Sequence, residues 1–196
     1  ANVNGTYQST TTWPYYDTAG KYGSSLYLYN PNAPTTVSNC IFFNQSSGIN
    51  IPFGGSNTST ICFWYKFLNV PGGVIDNTLV FLTYNSGNKT SYFCLKNPNT
   101  YLVSYGNFSG SSTGYNSGST TATTVGQWYH VAQTTTSTSQ TMYINGVLVG
   151  SQTYSAIIGD SSNIWNSMSL GTYFFGTNPS AGASCEIDDL RIYNTA

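Results

Sequence analysis

The sequence predicts an all-β domain, either a sandwich or a barrel, and three observations lead to this prediction. Short runs rich in β-branched and aromatic residues recur between turn residues such as Gly, Asn, Ser and Pro. No helical periodicity of useful length accompanies them. Asn145-Gly146 lies between two such runs, where it predicts a hairpin with a two-residue type I′ turn, because both residues tolerate positive φ.

The predicted strands are spread along the whole chain. They are Leu26–Tyr29, Cys40–Phe43, Ile49–Ile51, Thr60–Phe67, Thr78–Tyr84, Ser91–Leu95, Tyr101–Tyr105, Trp128–Thr134, Thr141–Ile144, Val147–Gln152, Ser167–Gly171 and Cys185–Tyr193. No linker-like break separates them, so we expect a single domain over 13–196. The segment 1–12 is predicted to be an extended arm that reaches beyond the core, and the Ser/Gly/Thr-rich stretch 106–126 a long loop.

The surface chemistry excludes several classes of function. Only 6% of the residues are charged and the net charge is −1, against roughly 25% charged residues in typical domains. The few scattered Lys and Arg residues form no basic patch, so we expect no nucleic-acid partner. No apolar run approaches the roughly 20 residues of a membrane span, so we expect no membrane insertion. A net charge near zero favours association with other molecules.

Cysteines and sequons indicate an extracellular protein, secreted or exposed on a surface. The four cysteines form an even set without C-x-x-C spacing, which disfavours a zinc or redox motif. Candidate N-glycosylation sites, written N-x-S/T, occur at Asn4, Asn44, Asn57, Asn88 and Asn107. Disulfides and glycans both belong to oxidising compartments, so the two features point the same way.

Several motifs carry a resemblance to a known family. The segment 60–65 reads TICFWY, 126–132 reads GQWYHVA, 143–149 reads YINGVLV and 187–194 reads IDDLRIYN. In this order and at this spacing they resemble the laminin G-like (LamG) branch of the concanavalin A-like lectin and glucanase jelly rolls, over roughly residues 13–195. The resemblance implies an antiparallel β-sandwich of two sheets.

The resemblance also implies a disulfide pattern. In such folds the opening strand, here that of Cys40, lies beside the closing strand, here that of Cys185. This implies a Cys40–Cys185 bridge and leaves Cys62–Cys94 as the second pair. The sequence by itself allows three pairings of four cysteines.

One strand resembles a catalytic strand. Related glycoside hydrolases carry E-I-D-x-E or E-I-D-x-x-E, and this chain has Glu186-Ile187-Asp188. Strand alternation places Glu186, Asp188 and Leu190 on one face. Retaining hydrolysis needs two carboxyl groups across the scissile bond, but the second Glu of the motif is absent and Glu186 is the only Glu of the chain. We therefore predict that the protein is not an enzyme and has no catalytic residues.

Metal and cofactor sites are weakly encoded. Ca²⁺ requires six to eight oxygen ligands, usually with several carboxylates. Asp160, Asp188 and Asp189 are the candidates for a structural calcium, but the acids are scattered, so the prediction is no cofactor apart from that calcium. His130, the single histidine, lies within a strand motif and is predicted to be a packed, hydrogen-bonded residue rather than a catalytic base.

Aromatic residues outside the core strands are the candidates for ligand binding, because sugar rings stack their apolar faces on Trp and Tyr. They are Trp13, Tyr15, Tyr16, Tyr115, Trp165 and Tyr173. The sequence therefore predicts a non-catalytic extracellular module that binds glycans or surface proteins on a cell, matrix or virion. The alternative is a structural subunit that assembles with identical copies into an extracellular fibre, sheath or coat, with the arm 1–12 adding a strand to a neighbour.

Overall fold

A computed structural model describes residues 6–9, 15–29, 39–43, 51–52, 58–68, 77–84, 89–96, 101–108, 111–116, 124–136, 139–153, 164–165, 167–171, 173–175, 178–180 and 184–195. The regular elements of these residues are all strands. Within them, no helix has the length and apolar character required to cross a membrane.

Two seven-stranded sheets form the body of the fold. The first sheet has the spatial order β1-β4-β15-β7-β8-β9-β10, and the second β13-β12-β11-β6-β18-β3-β2. Strands of the first sheet are β1 (Thr6–Ser9), β4 (Asn39–Phe43), β7 (Asn77–Tyr84), β8 (Lys89–Lys96), β9 (Tyr101–Phe108), β10 (Ser111–Asn116) and β15 (Ser167–Leu170). Strands of the second are β2 (Tyr15–Gly20), β3 (Gly23–Leu28), β6 (Ser59–Phe67), β11 (Trp128–Thr135), β12 (Ser139–Ile144), β13 (Val147–Thr153) and β18 (Cys185–Tyr193). Two small sheets pair β5 (Ile51–Pro52) with β14 (Ile164–Trp165), and β16 (Tyr173–Phe175) with β17 (Asn178–Ser180).

The pairs of neighbouring strands are antiparallel throughout, as the two-sheet sandwich prediction requires. Each strand predicted from the sequence overlaps a strand of the structure, although of Ile49–Ile51 only Ile51 is among the described residues. The last strand, β18, lies in the interior of the second sheet, between β3 and β6. This closing position is the reason that the C-terminal motif is a core strand.

The core lies between the two large sheets, and β6 shows how the sequence builds it. Alternate residues of this nine-residue strand are buried, from Ser59 through Phe63 to Phe67. The aromatic rings form a cluster, in which the Tyr65 ring centre lies 5.4 Å from that of Phe67, edge to face, and 5.7 Å from that of Tyr129 on β11, stacked. The first sheet adds Cys40, Met168 and Leu170 to this core. Such burial of large apolar side chains supplies most of the driving force for folding.

The predicted type I′ hairpin is confirmed. Asn145 and Gly146 have φ values of 51° and 79° and connect β12 to β13, with Ile144 opposite Val147. The turn is also tied to β11, because the Asn145 backbone N–H donates to the His130 carbonyl and the His130 N–H donates to Asn145 Oδ1. A local sequence signal and a tertiary contact therefore stabilise the same turn.

Several segments differ from the sequence-based expectation, among them the strands β2, β14, β16 and β17, which were not predicted. The stretch 106–126 is not all loop, because β9 continues to Phe108 and β10 follows as its antiparallel edge partner. Part of the predicted arm is strand β1, which pairs with β4 of its own chain. Backbone groups at a sheet edge form ladder hydrogen bonds whatever the local composition, and this overrides weak sequence signals. Self-assembly through the arm stays a prediction.

The closing strand contains a β-bulge that strand alternation did not predict. Asp188 lies opposite Trp64 and Arg191 opposite Cys62, so both Asp189 and Leu190 face the single residue Phe63. Asp189 has a positive φ of 50° at this point. The extra residue shifts the alternation. Arg191, rather than Leu190, therefore follows Asp188 on the face that bears Glu186, and the expected shared face of Glu186, Asp188 and Leu190 is wrong at its third residue.

Candidate functional site: the outer face of the second sheet

The second sheet carries an ordered set of polar and aromatic side chains on the face that points away from the core. We call this set the outer face. It comprises Ser25 and Tyr27 of β3, Cys62, Trp64 and Lys66 of β6, Trp128 and His130 of β11, and Glu186, Asp188 and Arg191 of β18. The same alternation that buries Phe63 and Tyr65 places Trp64 and Lys66 on this face.

Strand register arranges these residues in rows across the sheet. Trp128 lies opposite Lys66, Lys66 opposite Glu186, and Glu186 opposite Tyr27. In the next row His130 lies opposite Trp64, which lies opposite Asp188. Directly opposed side chains on one face are close enough to interact. The register therefore brings together residues from four strands that are far apart in the sequence.

A buried ion pair anchors the first row. Glu186 is only 1% exposed, and its Oε1 lies 2.6 Å from Lys66 Nζ. Its other carboxylate oxygen accepts a hydrogen bond of 2.6 Å from the Ser25 hydroxyl. Both oxygens of the carboxylate are thus engaged, as a buried charge requires. The Glu186 carboxylate is held as a structural group, and this opposes a role in glycoside hydrolysis.

The ion pair also positions an aromatic ring. Lys66 Nζ lies 4.9 Å from the centre of the Trp128 ring, within the range of a cation–π interaction. Next to it, Tyr27 stacks on Tyr29 with ring centres 6.3 Å apart. The pKa of the Tyr27 phenol is raised, first by burial and then by the neighbouring Tyr29, Glu186 and Asp17. Tyr27 therefore stays neutral and can donate or accept hydrogen bonds at ordinary pH.

Trp64 is the centre of the second row. Its ring is 5.1 Å from the His130 ring and 5.8 Å from the Tyr22 ring, which stands nearly perpendicular to it at 81°. Lys21 Nζ lies 4.4 Å from the ring centre. Lys21 and Tyr22 form the two-residue connection between β2 and β3, with Gly20 opposite Gly23. The hairpin tip therefore lies beside Trp64 and places a cation over it.

Asp188 and Asp189 of β18 accept hydrogen bonds from a backbone group and a side chain, respectively. Asp188 Oδ2 accepts a hydrogen bond of 2.8 Å from the backbone N–H of Tyr22, which fixes the hairpin tip to β18. Asp189 Oδ1 accepts from Arg191 Nε at 2.7 Å. Among the described residues no group of three His, Cys, Asp or Glu side chains could hold a metal ion. Asp188 and Asp189 are therefore not part of a cluster of calcium ligands among the described residues. The third candidate, Asp160, lies outside the described residues.

His130 is packed, as predicted, and lies on the outer face. It is half-buried against Trp64. Burial lowers the pKa of the imidazole below its ordinary value of 6.5, while Asp189 raises and Arg191 lowers it to a smaller extent. The side chain is therefore neutral at physiological pH. Its alternation with the buried Tyr129 and Val131 is the one expected from the sequence.

The predicted ligand-binding aromatics do not come together on one sheet. Tyr15 and Tyr16 belong to β2 at one edge of the second sheet, and Tyr16 is 68% exposed. Tyr115 belongs to β10 at an edge of the first sheet. Trp165 and Tyr173 belong to the two separate small sheets, and Trp13 lies outside the described residues. Their role in binding stays a prediction.

The premise of the disulfide expectation, that the strand of Cys40 lies beside that of Cys185, is wrong, while the pairing itself stays a prediction. Cys40 lies on β4 in the first sheet and Cys185 on β18 in the second, so the strands are not neighbours. Cys185 and Cys62 are free thiols in the structure. Burial raises the pKa of the Cys185 thiol and, less strongly, that of Cys62.

Only one of the predicted glycosylation sites lies on a described residue. Asn107 belongs to β9 and is paired with Thr90 and Ser112 across the ladder. The other candidates, Asn4, Asn44, Asn57 and Asn88, lie outside the described residues. Glycosylation at all five stays a prediction.

Residues that the sequence reasoning missed were Trp64, Trp128, Lys66 and the Lys21-Tyr22 tip. A signal was present. In β6 the residues that alternate with the buried ones are Thr60, Cys62, Trp64 and Lys66, and a Trp on the polar side of a strand is unusual enough to mark a surface. Their grouping with Trp128 depends on the register of β6 with β11, which no local pattern contains.

Comparisons with known proteins agree with this architecture. A laminin G family model, described as concanavalin A-like lectin/glucanases superfamily, matches residues 43–196. A search among curated proteins finds no significant match.

Solved structures are similar over nearly the whole chain. One is domain 4 of AbnA, a GH43 extracellular arabinanase from Geobacillus stearothermophilus, solved in complex with arabinotriose. Its identity is 20% and its TM-score 0.68, over 98% of this chain and 82% of that domain.

Two further structures extend the comparison. Domains LG4-5 of the mouse laminin alpha1 chain are 10% identical with a TM-score of 0.63, over 96% of this chain and 45% of that one. Botulinum neurotoxin type C, whose cell entry depends on two ganglioside molecules, is 14% identical with a TM-score of 0.66, over 99% and 43%. This chain spans less than half of the length of these two. At such identities the likeness establishes the fold, and together with the family match it shows that the chain belongs to the concanavalin A-like lectin/glucanases superfamily.

Proposed function

We propose that the protein is a non-catalytic, extracellular saccharide-binding module and that the outer face of the second sheet is its binding surface. The observation that carries the proposal is the pair of rows containing Trp64 and Trp128, two half-buried indoles on the solvent side of a seven-stranded sheet. A sheet is a rigid support, so the rings are held in place before a ligand arrives, which lowers the entropy cost of binding.

The chemistry of this face suits a sugar. Trp and Tyr rings can stack on the apolar face of a pyranose or furanose, and the neighbouring Tyr27 hydroxyl and Asp188 carboxylate can hydrogen-bond to hydroxyl groups. Fold relatives that bind saccharides, such as the arabinotriose-bound domain and the ganglioside-dependent toxin, support this choice of ligand class.

A hydrolytic role has little support. Glu186 is bound on both oxygens, to Lys66 and Ser25, and Arg191 rather than an acid follows Asp188 on the outer face. Among the described residues, no acid follows Asp188 at the strand positions of the second Glu in the catalytic motif, whereas retaining or inverting hydrolysis uses two carboxyl groups. Binding without turnover is the function that fits this arrangement.

A glycan array followed by calorimetry tests the proposal. Trp64→Ala and Trp128→Ala should each weaken binding of the best array ligand about tenfold or more, which corresponds to roughly 1.4 kcal/mol. Trp165→Ala is the matched variant, because it removes the same ring from a separate two-stranded sheet.

The array experiment separates two locations. Loss of binding in Trp165→Ala with unchanged binding in the Trp64 and Trp128 variants would move the site to the aromatics predicted from the sequence. Circular dichroism of each variant establishes that the fold is intact. A protein that binds no array saccharide under conditions where it is folded would contradict the proposed function.

A further inference from the structure

Not every charged side chain around Trp64 is part of an ion pair with a described residue. Among the described residues on or beside the outer face, Lys66 is paired with Glu186 and Arg191 with Asp189. The carboxylates of Asp17 and Asp188 instead accept backbone N–H groups, of Ala19 and Tyr22 respectively. Lys21 is the cation that remains, and it lies over the Trp64 ring rather than in an ion pair with a described residue.

The surroundings of the Lys21 ammonium have the geometry of a cation site. The ammonium is 4.4 Å from the Trp64 ring centre, and the Tyr22 ring stands nearly perpendicular to that indole. Asp188, directly opposite Trp64 in the sheet, contributes negative charge on the same face. Aromatic rings at a steep angle with a nearby carboxylate are the arrangement by which proteins recognise ammonium groups.

Lys21 is an exposed residue on an exposed two-residue hairpin tip, and the adjacent Tyr22 is 62% exposed. Its ammonium is tethered by a flexible four-carbon stem, so leaving the ring face disrupts no buried contact. A cation supplied by a ligand could take its place over Trp64. In that exchange the Lys21 ammonium moves into water, where it is well solvated.

We propose that Trp64, Tyr22 and Asp188 form a subsite for an amino sugar with a free ammonium group, and that Lys21 occupies this subsite until the ligand displaces it. The proposal deepens the saccharide-binding function and rests on it for the rest of the ligand. The feature of the sugar that this part of the outer face selects is its positively charged ammonium group. N-acetylation removes that positive charge and should remove the preference.

The test compares two ligands that differ only in charge, the glucosamine trimer and the N-acetylglucosamine trimer. Binding is followed by the indole N–H signals of the four Trp residues in NMR spectra, with the Trp64 signal assigned by Trp64→Phe. Lys21→Gln should strengthen binding of the glucosamine trimer about fivefold or more, because the competing ammonium is gone. The same change should alter binding of the acetylated trimer by less than about twofold.

Two further variants define the site. Asp188→Asn should weaken binding of the glucosamine trimer, because it removes the carboxylate next to the ligand cation. Lys96→Gln is the matched control, since it removes the same charge from β8 of the first sheet and should change neither affinity.

The outcomes distinguish the ammonium subsite from the proposed saccharide-binding function. Equal strengthening for both trimers in Lys21→Gln would make Lys21 a plain steric cover and would overturn the ammonium subsite, while saccharide binding would stand. Unchanged or weaker binding of the glucosamine trimer in that variant would overturn it as well.

A cation without a sugar tests the ammonium subsite independently of saccharide binding. Tetramethylammonium should shift the Trp64 signal in Lys21→Gln more than in the natural protein. If it does so while neither trimer binds, the cation subsite stands and the saccharide function fails. If tetramethylammonium leaves the Trp64 signal of Lys21→Gln unchanged, the subsite is overturned.

Discussion

At the scale of the residue, His130 makes the stability of the protein sensitive to mild acid. Burial lowers the imidazole pKa in the folded protein below its ordinary value of 6.5, so the unfolded chain binds the proton more readily. Stability is therefore fully present above pH 6.5 and is lost as the pH falls from there through the folded pKa. The groups that face His130 are Trp64 from β6 and, by charge, Asp189 and Arg191 from β18.

We expect a lower urea midpoint at about pH 5.5 than at about pH 7.5. Because His130 is the only histidine of the chain, His130→Gln should remove most of this difference. A natural protein that becomes more stable over the same interval as the pH falls would contradict the burial-driven shift.

Gly171 is a position where a side chain does not fit. A Cβ atom at this residue would lie 2.4 Å from Leu28 Cδ1, and the backbone φ is +76°. Leu28 is fully buried on β3 and Gly171 follows β15, so the contact joins the two sheets. Gly171→Ala should destabilise the protein by about 2–4 kcal/mol, from overpacking plus the positive φ.

Gly146→Ala is the matched comparison for Gly171→Ala. Its φ is similar, +79°, but nothing lies within 4 Å of the added Cβ. It should therefore lose only the backbone contribution of about 1–2 kcal/mol. Equal losses in the two variants, measured by urea unfolding, would show that the Leu28 contact contributes nothing.

At the scale of the element, the Lys66–Glu186 pair ties β6 to β18 on a face where the other rows are half-exposed. Glu186→Gln leaves the ammonium of Lys66, which is 16% exposed, without its counter-charge. The expected loss is about 3 kcal/mol in the free energy of unfolding, because removal of one partner of a buried pair leaves the other uncompensated.

The double variant Lys66→Met, Glu186→Leu shows whether the stability lost in Glu186→Gln comes from leaving the Lys66 charge unpaired. Both charges are absent, so most of the stability should return, to within about 1 kcal/mol of the natural protein. A double variant as unstable as Glu186→Gln would indicate that the Ser25 hydrogen bond or the packing of Trp128, rather than the ion pair, holds this part of the sheet together.

The elements also show what local sequence signals can achieve. The β12–β13 hairpin was predictable because Asn145-Gly146 encodes its turn within two residues. Strand β6 was predictable because its alternation is complete over nine residues. Strand β10 was missed because its polar residues, SSTGYN, gain their strand conformation from pairing with β9. The bulge at Asp189 was missed for a similar reason, since it depends on the register between two strands.

At the scale of the whole molecule, the placement of Cys62 and Cys185 on opposite faces of the second sheet leads to a chemical prediction. Cys185 is fully buried with a raised pKa, whereas Cys62 lies half-buried on the outer face. Only an accessible thiolate is alkylated readily. Without added reductant, iodoacetamide should therefore modify Cys62 about tenfold or more faster than Cys185, as measured by peptide mass spectrometry.

Unfolding with urea provides the control for the alkylation experiment. Cys185 should become reactive when the core opens, because burial alone protects it. If neither thiol reacts in urea until a reductant is added, the two cysteines are in disulfides, and peptide mapping would then identify their partners.

By itself the sequence determined the fold class, the family and the positions of the strands with strong alternation, such as β6 and β11. These follow from alternation, turn chemistry and motifs, each of which is written in a few adjacent residues. It also pointed to sugar binding through aromatic residues, but it placed them in loops such as those of Trp13 and Trp165.

Only the tertiary structure decided which residues share a surface. Lys21, Trp64, Trp128 and Asp188 are separated by tens of residues, and the register of β11, β6, β18 and β3 brings their strands side by side. The strand order likewise placed Cys40 and Cys185 in different sheets. Register and strand order are settled by the burial of one whole face of each sheet, a cooperative property of the folded chain that no short segment contains.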